Sequence, residues 1–406
     1  MRQTIIAVIG LLMTASIARG AGFQNPVSGA AAAGQAGAFT AQADDASAVT
    51  HNPAGLTQLE KDQVLVTFSF ISPSVKHITP LGVTEKAKGS THQLPGFYWA
   101  AAPSSANPVR FGLGISVPYG QSTRWSENSS FRYTGTFSEM ELLNVNPAVA
   151  FQVNPRFSVG LGLNYYSGRI KLEALDPYFM MGFPDGSHQL KADGEQWGYN
   201  LGLLYRVAEN QSFGFAYRGG FPMTFKGDLK MRNLPVPLGG PTYSTPARLD
   251  LDYPALVNLG YAWRPRPDLK LEFDLEWTNW SVMDRVPVDF AYNTPFLPDQ
   301  STLKDWNDTL SPRLGLEYQA GPNARWRAGY LFLPSPIPDR TYEAGLPDAD
   351  SHIFNLGFEW KGSRLRLAVS QSLSLPEKRR ILQGGPYDGE YRAVNHITTV
   401  NLGYDF

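Results

Sequence analysis

The chain has 406 residues, a formal net charge of −1, no cysteine, 17% charged and 13% aromatic residues, 39 glycines and 31 prolines. A balance so close to neutral leaves no basic field for nucleic acid, and the lack of thiols excludes disulfide frameworks, thiolate metal sites and cysteine nucleophiles. Charge is scarcer than the roughly 25% of ordinary globular chains, and the glycine, proline and aromatic content suits many strands and turns rather than long helices.

Residues 1–20 read as a signal peptide. Met1-Arg2 gives a positive start, 4–17 is almost uniformly apolar, and Ala18 and Gly20 occupy the −3 and −1 positions of a small-residue cleavage site. The apolar run is shorter than the roughly 20 residues of a spanning helix, so export with cleavage before Ala21 is expected. Residues 21–60 follow no strand period. Alanine and glycine dominate 28–43, a composition that packs tightly but cannot face lipid, and a compact plug inside a barrel is its natural place. Within it Ala43-Asp44-Asp45-Ala46 leads to Asn52-Pro53-Ala54-Gly55, where the proline biases Asn52 away from helix and toward a turn.

From residue 61 onward the chain alternates. Its third strand, 111–120, contains Pro118 followed by Tyr119-Gly120; proline removes a ladder donor, so a break in pairing is predicted there. In 158–166, Val159, Leu161, Leu163 and Tyr165 oppose Ser158, Gly160, Gly162 and Asn164. The loop 175–185 carries Tyr178, Phe179, Met180, Met181 and Phe183, five large apolar residues whose exposure marks a binding surface, with methionines suited to variable apolar ligands. The loop 234–246, with Leu234, Val236, Leu238 and Tyr243, is a candidate partner wall. In 196–205, Trp197, Tyr199, Leu201, Leu203 and Tyr205 share one parity against Gln196, Gly198, Asn200 and Gly202; in 269–278, apolar residues oppose Lys270, Glu272, Asp274 and Glu276. The polar side carries charge or glycine in strand after strand, which fits apolar residues toward lipid and polar ones toward a lumen.

By this parity Arg218 and Arg313 face the lumen, Arg313 as a ligand contact or as the partner of Glu276 or Glu317. Arg169 and Lys171 face outward near the external rim, toward lipopolysaccharide phosphates. The last strand places Leu402, Tyr404 and the terminal Phe406 on one face, similar to the assembly signal of outer-membrane barrels. Short connections near 103–107, 154–155, 208–211, 265–268, 321–324 and 361–363 alternate with long ones near 75–93, 121–138, 174–193, 226–246, 285–304, 336–350 and 375–391. That rhythm predicts an all-β fold, a transmembrane antiparallel β-barrel of about 14 strands, with an N-terminal plug, or hatch, at 21–60 and the barrel at 61–406.

Several segments carry a resemblance: Ala21-Gly22-Phe23-Gln24, Ala43-Asp44-Asp45-Ala46, Asn52-Pro53-Ala54, Gln196-Trp197-Gly198-Tyr199, Ala216-Tyr217-Arg218, Phe225-Lys226-Gly227 and Trp277-Thr278-Asn279-Trp280-Ser281. In order and spacing, from residue 21 to the end, the chain resembles the FadL family, outer-membrane long-chain fatty acid transporters that include aromatic-hydrocarbon channels. The resemblance implies a plugged barrel with an external low-affinity site, an internal high-affinity site and lateral exit beside a kinked third strand, with Pro118 and Gly120 at the opening and Asn52-Pro53-Ala54 holding the plug near it. It also implies an arginine on the fifth strand and a lysine near the start of the tenth, but Ala174 and Asn307 stand at those positions. An uncharged ligand, handled by Phe23 and the Met180-Met181 loop, is therefore as open as a carboxylate.

Enzyme readings find no support in the sequence. The six histidines are scattered without metal-ligand spacing, no Gly-x-Ser-x-Gly elbow occurs, and His396 shares the lipid-facing parity of Val394 and Val400. No cofactor or metal is expected. The expected function is passive uptake of long-chain fatty acids or similar hydrophobic molecules across the outer membrane of a Gram-negative bacterium, by a monomer surrounded by membrane lipid and lipopolysaccharide; the alternatives are a hydrocarbon channel and a general diffusion porin.

Overall fold

The computed structural model describes residues 22–89, 91–102, 107–238, 240–292 and 297–406. The signal peptide expected at 1–20, with Ala21, and most of the turn at 103–107 lie outside those residues. Fourteen antiparallel strands form the wall. They are β1 (Gln63–Ile78), β2 (His92–Ala101), β3 (Val109–Arg124), β4 (Phe137–Asn154), β5 (Phe157–Asp176) and β6 (Gly186–Ala208). Four interrupted strands follow: β7 (Gln211–Arg218 and Phe221–Arg232), β8 (Thr242–Tyr253 and Leu256–Arg266), β9 (Leu269–Thr278 and Arg285–Phe290) and β10 (Gln300–Leu303 and Thr309–Gln319). Strands β11 (Ala324–Leu333), β12 (Ser351–Lys361), β13 (Leu365–Pro376) and β14 (Gly389–Asp405) complete the circuit, and β14 pairs with β1 from Gln63↔Asp405 to Ile78↔Glu390. Closure of β14 on β1 removes the two edges that an open sheet would expose to lipid.

Side chains sort as the alternation requires. Leu161, Leu163, Leu201, Leu203, Leu259 and Leu314 are exposed on the outer surface, while Ser158, Asn164 and Asn200 are buried in the lumen. The wall is taller than the bilayer: β6 has 23 residues, against the roughly 10 that cross a membrane. Much of what the sequence suggested was long loop is therefore strand. The stretches 226–232 and 242–246 continue β7 and β8 beyond the membrane, with the alternation inverted: Phe225 and Leu229 point inward and are buried, while Lys226, Asp228 and Lys230 face out.

Residues 22–60 fill the lumen. Two short helices, α1 (Ala30–Gly34) and α2 (Ala48–His51), and a 3-10 turn (Pro53–Gln58) lie inside the wall, almost entirely buried. Alanine and glycine dominate because plug backbone presses on wall backbone. A Cβ on Gly160 would stand 2.4 Å from the Ala54 nitrogen, and one on Gly202 would stand 2.1 Å from Asn52 Oδ1. Charge fixes the periplasmic side. Burial would raise Asp44, yet Lys270 at 3.0 Å, with Arg325 and Arg327 beyond it, holds its carboxyl well below the usual range.

Two inward carboxylates on β9 hold the plug's central turn. Asp274 Oδ2 accepts from the amides of Phe39 (3.0 Å) and Thr40 (2.9 Å), and Glu272 Oε1 from those of Ala41 (2.6 Å) and Gln42 (3.2 Å). An orphaned buried donor costs about 1–3 kcal/mol. In an Asp274→Ala/Glu272→Ala protein, hydrogen exchange at the amides of 39–42 should speed up by roughly tenfold or more while β5 and β6 stay protected. Unchanged exchange would refute the latch.

Candidate functional site

The first segment of the plug, residues 22–27, is bonded to the part of the wall where pairing breaks. Strand β2 pairs with β3 only from Ala101↔Phe111 to Phe97↔Ile115, whereas on its other side it pairs with β1 as far as Ile71↔His92. The β3–β4 register slips between Ser116 and Tyr119, around Pro118. Pro118 thus bends β3 in mid-strand, where the sequence predicted a break. Higher up, the Lys88 amide, in the connection before β2, donates to the Arg124 carbonyl (2.7 Å). A cavity of about 190 Å³ opens in this upper part, between Pro73, Lys88, His92, Thr123 and Phe137.

The groups freed at the bend are taken by the plug. The Asn25 amide donates to the Pro118 carbonyl (2.9 Å), the Gly120 amide to the Phe23 carbonyl (2.8 Å), and Asn25 Nδ2 to the Val117 carbonyl (2.9 Å). This corrects one expectation. Asn52-Pro53-Ala54 does not lie at the opening: it sits against Gly160 and Gly202 of β5 and β6, where Asn52 Nδ2 donates to the Thr40 carbonyl (2.7 Å) and the Leu203 carbonyl (3.0 Å). The residues at the opening are Phe23, Gln24 and Asn25.

Phe23 occupies an aromatic cage of Tyr119, Tyr253, Trp280 and Trp306, with ring centroids 5.9, 5.4, 4.9 and 5.7 Å away. Edge-on contacts of this kind each contribute about 0.5–1.5 kcal/mol beyond the buried area. The interruptions of β8, β9 and β10 supply Tyr253, Trp280 and Trp306. Gly22, at φ +60°, lies under both tryptophans, and its amide faces Asp348 Oδ2 (3.4 Å). Asp348 belongs to the external segment 334–350, which dips into the barrel and is pinned by Arg379, whose Nη1 donates to the Asp348 carbonyl (2.9 Å). Above the cage, Tyr166, Phe221, Met223, Phe225 and Leu249 continue an apolar column, and Trp125, Phe131, Tyr342 and Tyr391 cover the mouth.

Gln24 to Val27 divide two cavities. One, of about 100 Å³, lies against Val117, Pro118, Asn200, Arg218 and Asn258; the other, of about 60 Å³, lies against Leu331, Leu333, Ile353 and Ile397, and Glu276 and Arg313 line both. An apolar cavity of roughly 150 Å³ accommodates benzene, so neither holds a ligand while the segment stays in place. Arg313 is not a free cation: Nη2 is bonded to Glu276 Oε1 and the side chain is 8% exposed. Arg218 donates from Nη2 to the Thr50 carbonyl (3.0 Å) and makes no ion pair among the described residues. Burial, with Arg218 and Arg313 nearby, pushes the plug imidazole of His51 down to about 4, although its bond to the Ser28 carbonyl opposes this; His51 is therefore neutral at neutral pH.

The external loop residues stand apart. Tyr178, Phe179, Met180 and Met181 form a 3-10 turn with Met180 78% exposed; Phe179 stacks on Tyr133 and Tyr178 covers Gly186, and with Phe183 they meet neither the cage nor the cavities among the described residues. The second wall offered by the sequence, 234–246, exposes Val236 by 80% but turns Tyr243 onto the lumen cluster. Sequence reasoning placed none of Tyr119, Tyr253, Trp280, Trp306 and Asp348 in the site; Tyr119 was named only beside Pro118, and Trp280 only within the Trp277–Ser281 motif.

Comparison with known proteins agrees with this architecture. The family described as outer membrane protein transport protein (OMPP1/FadL/TodX) matches residues 11–406. The long-chain fatty acid transport protein of Escherichia coli is 26% identical over 414 residues, covering 90% of this chain and 89% of that protein. Its Salmonella typhi counterpart is 25% identical over 402 residues, with the same coverage of each. A Pseudomonas aeruginosa FadL homologue superposes with a TM-score of 0.84 at 20% identity over 95% of this chain and all of its own. The Pseudomonas putida toluene transporter TodX gives 0.73 at 18% identity, over 94% and 98%.

Proposed function

Since the chain belongs to the outer membrane protein transport protein family, we propose that it carries long-chain fatty acids passively inward across the outer membrane, through the Phe23 cage and out sideways between β2 and β3. One observation carries this reading: the plug segment that fills the cage is the same segment that hydrogen-bonds the bend in β3. A ligand that displaces Phe23 from its four rings pulls on Asn25 and Pro118 as well, so binding in the cage and loosening of the wall are one event. The joined cavities then lie directly behind the gap above Ile115. The long-chain fatty acid transport relatives support a carboxylate ligand.

Arg218 is the cation proposed to receive the carboxylate. A charge-assisted hydrogen bond contributes about 1.5–3 kcal/mol, roughly 10- to 150-fold in affinity. Arg218→Ala should weaken oleate binding by that factor and leave toluene uptake unchanged, and Arg218→Lys should recover part of the loss. A second reading, an uncharged hydrocarbon ligand, is favoured by the neutralised Arg313 and the lack of cations at Ala174 and Asn307. It predicts equal oleate uptake in wild type and Arg218→Ala, with toluene the better substrate, and that outcome would overturn the fatty acid assignment.

A further inference from the structure

The outer surface carries cations where the wall leaves the membrane. On β5 and β6 the outward aromatic belt ends at Tyr165, Trp197 and Tyr199, residues of the kind that mark the membrane interface. Above it, Lys191 on β6 and Lys226 and Lys230 on β7 are exposed on the same outward face. The register places Lys191 beside Asp228, and Asp228 lies between Lys226 and Lys230 along β7. With strands about 4.8 Å apart and residues rising about 3.4 Å each, the Lys191 backbone is roughly 8 Å from each of the other two. Three flexible ammonium groups can therefore converge on one anionic group.

Their neighbours are already engaged. Arg169 is paired with Asp193 (2.9 Å), Lys171 with Glu173 (2.7 Å) and Arg248 with Asp250 (3.0 Å). Among the described residues Lys191, Lys226 and Lys230 make no ion pair, despite Asp228 between them. Parity alone pointed to Arg169 and Lys171 for phosphate contact; their ion pairs leave Lys191, Lys226 and Lys230 as the uncompensated cations beside them. Counted from Trp197, Lys226 stands level with the fourth residue up the wall, Lys191 is the sixth and Lys230 is level with the eighth, and the acidic residue at the fourth place, Asp193, is already paired with Arg169. In an outer membrane that level holds the phosphorylated sugar headgroups of the outer leaflet, and lysines near such an anionic surface attract it at short range.

We infer that Lys191, Lys226 and Lys230 form a binding site for the phosphate groups of lipopolysaccharide on the outer wall of β6 and β7. Each lysine near an anionic surface is expected to contribute about fivefold in affinity. The test titrates the purified full-length protein in detergent with lipopolysaccharide, dephosphorylated lipopolysaccharide and inorganic phosphate, reading occupancy by native mass spectrometry. Lys191→Gln/Lys226→Gln/Lys230→Gln should weaken lipopolysaccharide binding about a hundredfold while binding dephosphorylated lipopolysaccharide like wild type. A triple Lys→Arg protein should keep the affinity, and heat-modifiable gel migration should confirm that both variants are folded. Wild-type affinity in a folded Gln variant would overturn the site. Competition by millimolar inorganic phosphate would overturn its assignment to a lipid headgroup.

Discussion

Gly202→Leu is expected to give a barrel that assembles but does not close. Even the first carbon of the new side chain would lie 2.1 Å from Asn52 Oδ1 and 2.9 Å from the Ala54 nitrogen. Neither neighbour can yield cheaply. Asn52 is held by the Thr40 and Leu203 carbonyls and itself accepts from the Ala54 amide at 3.2 Å, and the Pro53 ring lies 2.8 Å from the same point. Overpacking costs about 1–3 kcal/mol, and each lost hydrogen bond adds about 1 kcal/mol. The β5–β6 ladder is the most continuous in the wall, running from Phe157↔Tyr205 to Asp176↔Gly186, so the plug should give way before the barrel does. Purified Gly202→Leu should stay heat-modifiable, conduct ions in planar bilayers several times more than wild type, and be cleaved by protease within residues 40–60. Gly135→Leu, at a site with no neighbour within 4 Å, should stay heat-modifiable and match wild type in conductance and protease resistance. A closed, protease-resistant Gly202→Leu protein would show that Asn52-Pro53-Ala54 is an ordinary turn.

How far the sequence could be read depended on which solvent each side chain meets. Within the bilayer the outside is apolar and the inside polar, so the parity of Trp197, Tyr199 and Leu201 against Gly198, Asn200 and Gly202 announced strands directly. Outside the bilayer the outer face meets water and the inner face meets the apolar column. The alternation of Phe225 and Leu229 against Lys226, Asp228 and Lys230 therefore inverts, and a reading tuned to the membrane took those strands for loops. Pro118 was legible because a missing donor has a local consequence. The aromatic cage was not: Trp280 and Trp306 reach the lumen because β9 and β10 are interrupted at one level, and neither period nor parity survives an interruption. The contacts of Asn52-Pro53-Ala54 with Gly160 and Gly202, more than 100 residues apart in sequence, leave no local trace beyond the glycines themselves.

Removing the Glu276 charge should have opposite effects on stability and on binding. The carboxylate of Glu276 is bonded to Arg313, both side chains are under 10% exposed, and Gln24 Nε2 approaches the same oxygen at 3.4 Å. Breaking such a pair by removing one charge costs about 3–5 kcal/mol, because the remaining ion stays buried without compensation. Glu276→Gln should accordingly melt well below wild type. The cation it releases lines both cavities beside Gln24 to Val27, so a carboxylate entering there regains a partner that the wild-type protein withholds. Oleate affinity should rise by roughly tenfold or more, and added oleate should restore much of the lost stability, since a ligand that binds only the folded state stabilises it in proportion to the logarithm of its saturation. Toluene should do neither. Arg313→Ala is the complementary case: it strands the Glu276 anion beside the cavity and should weaken oleate by repulsion, whereas Glu276→Gln/Arg313→Gln, which removes both charges, should bind oleate as wild type does through Arg218. If oleate affinity is the same in wild type and Glu276→Gln, the carboxylate does not pass within reach of Arg313, and the path through the joined cavities is wrong.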